Sequence, residues 1–398
     1  MRLSNYNILV HDYPQKDYTL VYNLLSKKYI CLKTELFYQY DNNKFLNKLV
    51  EEGFLVGSSE YEFSKVMNYF NKEFSGETLR LTVVLTRQCN CSCIYCYQDH
   101  LCKNSSMNQE IIDHLISFTE KYMEENKLSD LEVVFFGGEP LLKKDLITYA
   151  SKKWHGKLAD HYKFAIITNG TLIEKDDVIQ WNKYNLNSLK ITLDGIQEIH
   201  DKRRHYKSGK GSFNDIINNI KTVHKIANIV INIVLDESNF PEIYSLIDLI
   251  KELQLKLSIC INLTRVHGKE ITEKESGYLI DLASYIKKRN IYQYSSIGNP
   301  DGEICPYKKK HSFSIDTNLK IFMCNAFIDD HDYSIGNIDD YYTKEIIDVN
   351  EPMCLKCKYL PVCYSGCKYD NHCKKEYFKS TIPELVKIYS GLTQYDAH

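Results

Sequence analysis

Apolar residues along this chain keep more than one rhythm, and each predicts a different kind of structure. From about residue 79, short β-rich apolar runs alternate with longer segments of helical period, the pattern of repeated βα units around a parallel sheet. The runs at 81–85, 132–136, 164–168, 189–193, 230–235 and 257–263 read as strands. Between them Ile111, Leu115, Phe118 and Tyr122 share one helical face, as do Ile216, Ile220 and Val223. Asn239 and Pro241 suit the start of the helix that precedes the last strand. Six such units are fewer than the eight of a closed barrel, so a partial barrel and a doubly wound sheet both fit. In either, ligands gather at the carboxyl ends of the strands.

Residues 1–75 follow a different pattern, with strand-like 18–22 and 29–32 and then a helix ending near Gly53, which predicts a small α+β module. Beyond about residue 300 the βα rhythm stops. The domain limits read from these changes are 1–75, 79–290, 300–378 and a tail at 379–398. The N-terminus lacks the apolar core of an export signal, and no apolar run approaches ~18 residues, so a cytoplasmic protein without a membrane partner is expected.

A formal net charge of -2 argues against a nucleic-acid partner. The one dense basic run is Lys202, Arg203, Arg204, His205, Tyr206 and Lys207. The 14 cysteines matter more, because in a reducing compartment clustered thiols hold metal or do redox chemistry. Cys89, Cys93 and Cys96 give C-x3-C-x2-C just past the first strand. Three thiolates on one tight loop hold three irons of a cubane and leave the fourth iron open. A zinc site is the alternative, and it would need a fourth ligand nearby.

With Tyr95 as the aromatic residue before the third cysteine, this loop resembles the signature of the radical S-adenosylmethionine superfamily. Cys91 is then a bystander. Gly137, Gly138, Glu139 and Pro140 after the second strand are similar to the family motif that receives the methionine amino group. Thr168, Asn169 and Gly170 follow the third strand. Thr192, Leu193, Asp194 and Gly195 end the fourth, with His200, Asp201 and Arg204 beyond. By the resemblance Thr192 and Arg204 are candidates for the methionine carboxylate, a role that suits a guanidinium fork. Arg203 could serve as well, and His200 and Asp201 read as a cap for the segment that follows.

The C-terminal cysteines Cys354, Cys357, Cys363, Cys367 and Cys373, with Cys305 and Cys324 before them, resemble the seven-cysteine SPASM domain. A zinc ribbon is the alternative. The resemblance implies an outer auxiliary cluster on Cys354, Cys357, Cys363 and Cys373, and an inner one on Cys305, Cys324 and Cys367 that is one ligand short. Residues 295–303 supply no cysteine for it; a substrate thiolate, Cys260 or a non-cysteine side chain would complete the set. Leu319 stands where the domain usually has glycine, and Asn325 stands where sulfatase maturases have the aspartate taken as the base. An amide cannot take up a proton in that role.

The resemblance covers residues 79 to about 375 and implies a partial (β/α)6 TIM-like barrel with a C-terminal iron–sulfur domain. It implies three 4Fe-4S clusters, S-adenosylmethionine and an external one-electron donor of flavodoxin or ferredoxin type. The implied chemistry is a 5'-deoxyadenosyl radical that takes hydrogen from a precursor peptide or protein, with an oxidative outcome such as a thioether or carbon–carbon crosslink. Residues 1–75 then read either as a leader-binding module or as a cap on the open barrel. Sulfatase-type modification, action on RNA or a small metabolite, and a zinc scaffold are the competing classes.

Overall fold

The computed structural model describes residues 1–39, 46–96, 104–263, 271–293, 305–328, 330–340, 352–367 and 373–392. Two compact units emerge: 1–73 with 264–304 and 347–398, and 74–263 with 305–346.

The first unit opens with β1 (Arg2–Leu3), β2 (Asn7–His11), β3 (Tyr18–Asn23) and β4 (Lys28–Lys33). Helices α1 (Thr34–Tyr38) and α2 (Leu46–Glu51), β5 (Leu55–Val56) and α3 (Ser59–Phe74) follow. β2, β3 and β4 form an antiparallel sheet in that order, and β1 pairs with β5. β3 is buried along nearly its whole length, and Val21 packs with Phe37, Leu49, Phe54 and Leu55. β4 is half-exposed, and its only strand partner among the described residues is β3.

The second unit carries β6 (Thr78–Thr86), β7 (Cys91–Cys93), α4 (Gln109–Asn126), β8 (Asp130–Gly137), α5 (Lys144–Leu158) and β9 (Tyr162–Thr168). It continues with α6 (Lys175–Asn182), β10 (Leu186–Thr192), α7 (Gln197–Arg203), β11 (Arg204–Tyr206), α8 (Phe213–Val223), β12 (Ile229–Leu235), α9 (Ile243–Glu252) and β13 (Ser258–Leu263). Strands β6, β8, β9, β10, β12 and β13 lie side by side in sequence order and all parallel. A doubly wound sheet reverses its strand order at a switch point, so this order selects the partial barrel. All six expected strands are present, each within a few residues of its expected limits.

The local signals work as elementary chemistry requires. Asn108 caps α4 by accepting from Ile111 N at 2.9 Å. Asp201 caps α8, its carboxylate accepting from Ser212 N at 2.8 Å and Phe213 N at 2.9 Å. Asn239 does not cap the next helix; α9 begins at Ile243, and the buried Asn239 amide donates to Asp194 O and Val234 O, both at 2.9 Å.

Farther along stand α10 (Glu273–Lys288) and β14 (Tyr292–Gln293). β15 (Ser312–Ile315), β16 (Lys320–Phe322) and β17 (Ser334–Asn337) return to the second unit. β15 pairs parallel with β6 and extends the barrel sheet on that side, with β16 and β17 antiparallel beyond it. Val84, Phe322 and Ile328 pack together beneath this extension. Leu319 turns the hairpin in the left-handed conformation that glycine favours, at φ 62°. Asp316 Oδ1 holds that turn by accepting from Asn318 N and Lys320 N, both at 2.8 Å.

The first unit ends with α11 (Pro352–Leu355), α12 (Leu360–Cys363) and α13 (Lys375–Ser390). Residues 379–390, expected as a tail, are therefore helix. Thr381, Ile382, Leu385 and Val386 are its buried residues, and α13 packs on α10 and β2. Tyr13 OH donates to Leu392 O at 2.8 Å. The segment 295–303 lies outside the described residues.

Candidate functional site

The chemistry of the second unit collects where the barrel strands end. Cys89, Cys93 and Cys96 sit on the loop after β6, part of which, β7, pairs antiparallel with β11: Arg204 opposes Cys93, His205 opposes Ser92 and Tyr206 opposes Cys91. Cys96 N donates to Cys93 O at 3.2 Å, which closes a tight turn between the two cysteines of the C-x2-C pair. Cys91 N donates to Cys89 Sγ at 3.4 Å. Hydrogen bonding from the Cys91 thiol lowers the Cys89 thiol to about 6 against its burial, helped by the Cys91 amide, Arg204 and Asn169. Burial raises Cys93 to about 11, with Cys89 and Cys96 adding to it and Arg204 opposing. Cys91 is buried and its thiol is pushed far up by its bond to Cys89.

Gly137 and Gly138 allow backbone to meet backbone beneath this loop. Gly138 N donates to Thr86 O at 2.8 Å and Glu139 N to Gln88 O at 2.7 Å. A Cβ on Gly138 would meet Gln88 O at 2.3 Å. The Glu139 carboxylate is completely buried and turns to the next strand end. It accepts from Leu141 N at 2.9 Å, Thr168 Oγ1 at 2.7 Å and Asn169 N at 2.7 Å. Burial nevertheless lifts its pKa to about 7. Pro140 opens the short turn that Glu139 caps. Asn169 Nδ2 donates to Asn90 Oδ1 at 2.7 Å and lies 3.4 Å from Cys91 Sγ.

The two adjacent arginines divide the work. Arg203 is buried, and its Nη1 pairs with Asp236 at 2.9 Å while its Nε lies 3.5 Å from Asp194. Arg204 Nη1 donates to Tyr95 OH at 2.6 Å, and its Nε is buried without a partner. Tyr95 OH in turn donates to Asp194, which is fully buried and also accepts from Val234 N at 3.1 Å. Thr192, at the end of β10, accepts from Asn232 Nδ2 at 3.3 Å. His200 is buried and neutral, Nδ1 accepting from Asp194 N at 3.3 Å and Nε2 donating to Ser212 Oγ at 3.1 Å.

Three bracing residues escaped the sequence reading. Asn90 bridges Asn169 and Thr171, the latter at 2.8 Å. Asn239 holds the loop behind Asp194. Arg87, just ahead of Cys89, pairs at 3.5 Å with the buried Asp316. Only Asn239 carried a signal, as an asparagine near a proline, and that signal pointed to a cap.

The donors fit an open-iron cluster and a carboxylate-bearing cosubstrate: three soft thiols share one loop, and a buried, unpartnered guanidinium nitrogen stands beside them. Among the described residues no three His, Cys, Asp or Glu side chains are drawn together closely enough for one metal ion. The remaining cysteines lie elsewhere. Cys305 and Cys324 belong to the second unit, and Cys354, Cys357, Cys363, Cys367 and Cys373 to the first. Cys357 N donates to Cys354 O at 2.9 Å, the same turn as in the Cys93 and Cys96 pair. Tyr364, Ser365 and Gly366, all left-handed at φ 50°, 65° and 74°, turn the chain between Cys363 and Cys367. Cys260 is buried within β13.

Residues 83–250 match the radical SAM superfamily model, and the chain carries a radical SAM domain, the unit of enzymes that work with a 4Fe-4S cluster and S-adenosylmethionine. Among curated proteins it is similar to the cysteine-type anaerobic sulfatase-maturating enzyme of Clostridium novyi, 26% identical over 328 residues, or 70% of this chain and 85% of that protein. Among solved structures, anSMEcpe with bound AdoMet has the same fold at TM-score 0.64 and 17% identity, over 80% of this chain and 97% of that one. SuiB of Streptococcus suis bound to precursor peptide SuiA follows 96% of this chain and 97% of its own at TM-score 0.54 and 16% identity. No described helix is long and apolar enough to cross a membrane.

Proposed function

We propose that this chain is a radical SAM enzyme that oxidatively modifies a ribosomally made peptide, forming a thioether or carbon–carbon crosslink. The observation that carries the reading is the shared loop of Cys89, Cys93 and Cys96 facing Arg204, whose Nε is buried and unpartnered. When bound there, cluster and S-adenosylmethionine supply the 5'-deoxyadenosyl radical. Arg204 and Thr192 hold the methionine carboxylate, Tyr95 and Asp194 aim Arg204, and Glu139 braces the strand ends. Cys354, Cys357, Cys363 and Cys373 serve as ligands of an auxiliary cluster, which gives an electron released from the substrate somewhere to go. The substrate class is supported by SuiB, a structural neighbour bound to a precursor peptide.

The N-terminal module suits a leader peptide. Its half-exposed β4 offers an edge to which an extended segment can add a strand. Hydrogen exchange tests this: the amides of 28–33 gain protection when a precursor peptide is added, and unchanged exchange contradicts it.

Sulfatase-type modification is the second reading, favoured by the Clostridium novyi similarity and opposed by Asn325. Anaerobic turnover of a cysteine-bearing precursor decides between them. A crosslinked product that has lost a hydrogen pair and keeps its sulfur supports the first reading. An aldehyde captured by a hydrazide reagent supports the second.

A further inference from the structure

Alternate residues of β10 face opposite ways. Leu189, Ile191 and Leu193 are completely buried, and a Cβ on Gly170 would meet both Ile191 and Ile216 of α8, so this set faces the helix layer. Ser188, Lys190 and Thr192 face the hollow of the barrel instead. Thr192 marks the direction, its hydroxyl meeting the side chain of its register partner Asn232 on β12. Lys190 stands one row deeper, between Ile167 and Val230, with Ser258 beyond Val230. The row above it holds Thr192, Asn232 and Cys260, and the row below holds Ala165 and Ser188, so neither brings an acid. Lys190 is partly buried, and among the described residues its ammonium has no hydrogen bond or ion pair. Lys163, on the same face at the start of β9, gives the contrast: it pairs at 2.9 Å with Glu132, which also holds Arg80 at 2.9 Å. The acids at the far strand ends are engaged, Glu139 with Leu141, Thr168 and Asn169, and Asp194 with Tyr95 and Arg203.

We infer that Lys190 is a specificity-determining residue that receives a carboxylate of the substrate peptide inside the barrel, borne by an acidic side chain or by the C-terminus. The inference rests on the proposed reading that the substrate is a peptide and that Thr192 and Arg204 hold the methionine end of S-adenosylmethionine. Lys190 is two strand residues, about 6.6 Å, deeper than Thr192, so a group paired with it lies on the inner side of the cosubstrate. An ammonium drawn partly from water on a wall without acids costs stability, and a ligand that brings the opposite charge offsets that cost. A few placed polar groups on an otherwise apolar wall are how such a hollow selects its ligand. A phosphate fits less well, because these rows offer neither a guanidinium fork nor a second cation beside Lys190.

The test uses the full-length reconstituted protein with S-adenosylmethionine, its variants Lys190→Met and Lys190→Arg, and synthetic cysteine-bearing hexapeptides with acetylated N-termini. One peptide carries a glutamate and an amidated end, one a glutamine and an amidated end, and one a glutamine and a free C-terminal carboxylate. At equilibrium an acidic peptide should bind the parent about tenfold or more tighter than the neutral one. Preference for the first assigns the side-chain source, and preference for the third the C-terminus. Lys190→Met should lose the preference and Lys190→Arg keep it. S-adenosylmethionine should bind all three proteins alike, and Lys190→Met should unfold in urea no earlier than the parent, since it strands no partner. Equal or absent binding of the peptides by the parent overturns the inference, as does a Lys190→Met variant that keeps the preference or unfolds earlier. Inorganic phosphate that binds the parent and not Lys190→Met overturns it in favour of a phosphate-bearing ligand. Weaker S-adenosylmethionine binding by Lys190→Met overturns it by moving Lys190 into the cosubstrate site. A parent that does not bind S-adenosylmethionine overturns the reading beneath it instead.

Discussion

Arg204 reaches the Tyr95 hydroxyl with Nη1 at 2.6 Å and leaves its Nε buried and unpartnered. Arg203, its neighbour, is already saturated by Asp194, Asp236, Ser238 and Val234 O. Exchanging each arginine should therefore have opposite consequences. Arg204→Ala is expected to weaken S-adenosylmethionine binding by about 1.5–3 kcal/mol, the value of hydrogen bonds to charged groups, with little change in unfolding. Arg203→Ala is expected to destabilise the fold by about 3–5 kcal/mol, because Asp194 and Asp236 lose the buried cation they share. Equilibrium binding and urea unfolding of both variants check this.

Glu139 offers an acceptor to three donors, so Glu139→Gln is not a neutral swap. Whichever way the amide sits, an N–H of the variant faces an N–H or O–H of Leu141, Thr168 or Asn169. A loss of about 1–3 kcal/mol in urea unfolding is expected. Unchanged stability would mean that the carboxylate acts on a ligand alone.

Two glycines give a contrast. A methyl group on Gly138 runs into the backbone of Arg87 and Gln88, which cannot step aside, so Gly138→Ala should unseat the cysteine loop and lower the iron retained after reconstitution. Gly156 lies inside α5 with open space around it, and Gly156→Ala should stabilise the protein by about 0.5–1 kcal/mol. Iron analysis reads the first and thermal unfolding the second.

Burial first, then Arg204 and Arg203, push the His200 pKa down from 6.5 to about 3. Below pH 6.5 the unfolded chain takes a proton that the folded chain refuses, so stability rises with pH across this window and is lost on acidification, by about 1 kcal/mol per unit. Glu139, lifted from 4.5 to about 7, acts in the opposite sense: its contribution is present below 4.5 and is lost as pH rises towards 7. The comparison therefore needs a variant that keeps Glu139. Unfolding free energies of the parent should fall more steeply from pH 6.5 to 5.5 than those of His200→Asn, and parallel slopes would contradict the assignment.

The barrel was legible because its strands are buried on both faces and read as apolar runs, as in β6 and β12. The cysteine loop was legible because ligand spacing is local. The choice between Arg203 and Arg204 was not, since adjacent residues differ only in which side of β11 and α7 they leave, and tertiary partners decide that. Asn239 misled for a similar reason: the side chain that suits a helix start also suits a buried bracket between two loops. Residues 379–390 carry helical period and end on a left-handed Gly391, but Pro383 stands inside them where a pattern reads a break, and their apolar face needs α10 and β2 to cover it. Leu319 shows the converse, a left-handed turn held by Asp316 without the glycine that a pattern would ask for.

Iron, sulfide and zinc per chain after anaerobic reconstitution test the account most directly. Roughly twelve irons with matching sulfide are expected, meaning three cubane clusters. About four irons with stoichiometric zinc would make the C-terminal cysteines structural and remove the oxidative peptide chemistry, and zinc without labile sulfide would contradict the radical assignment of Cys89, Cys93 and Cys96.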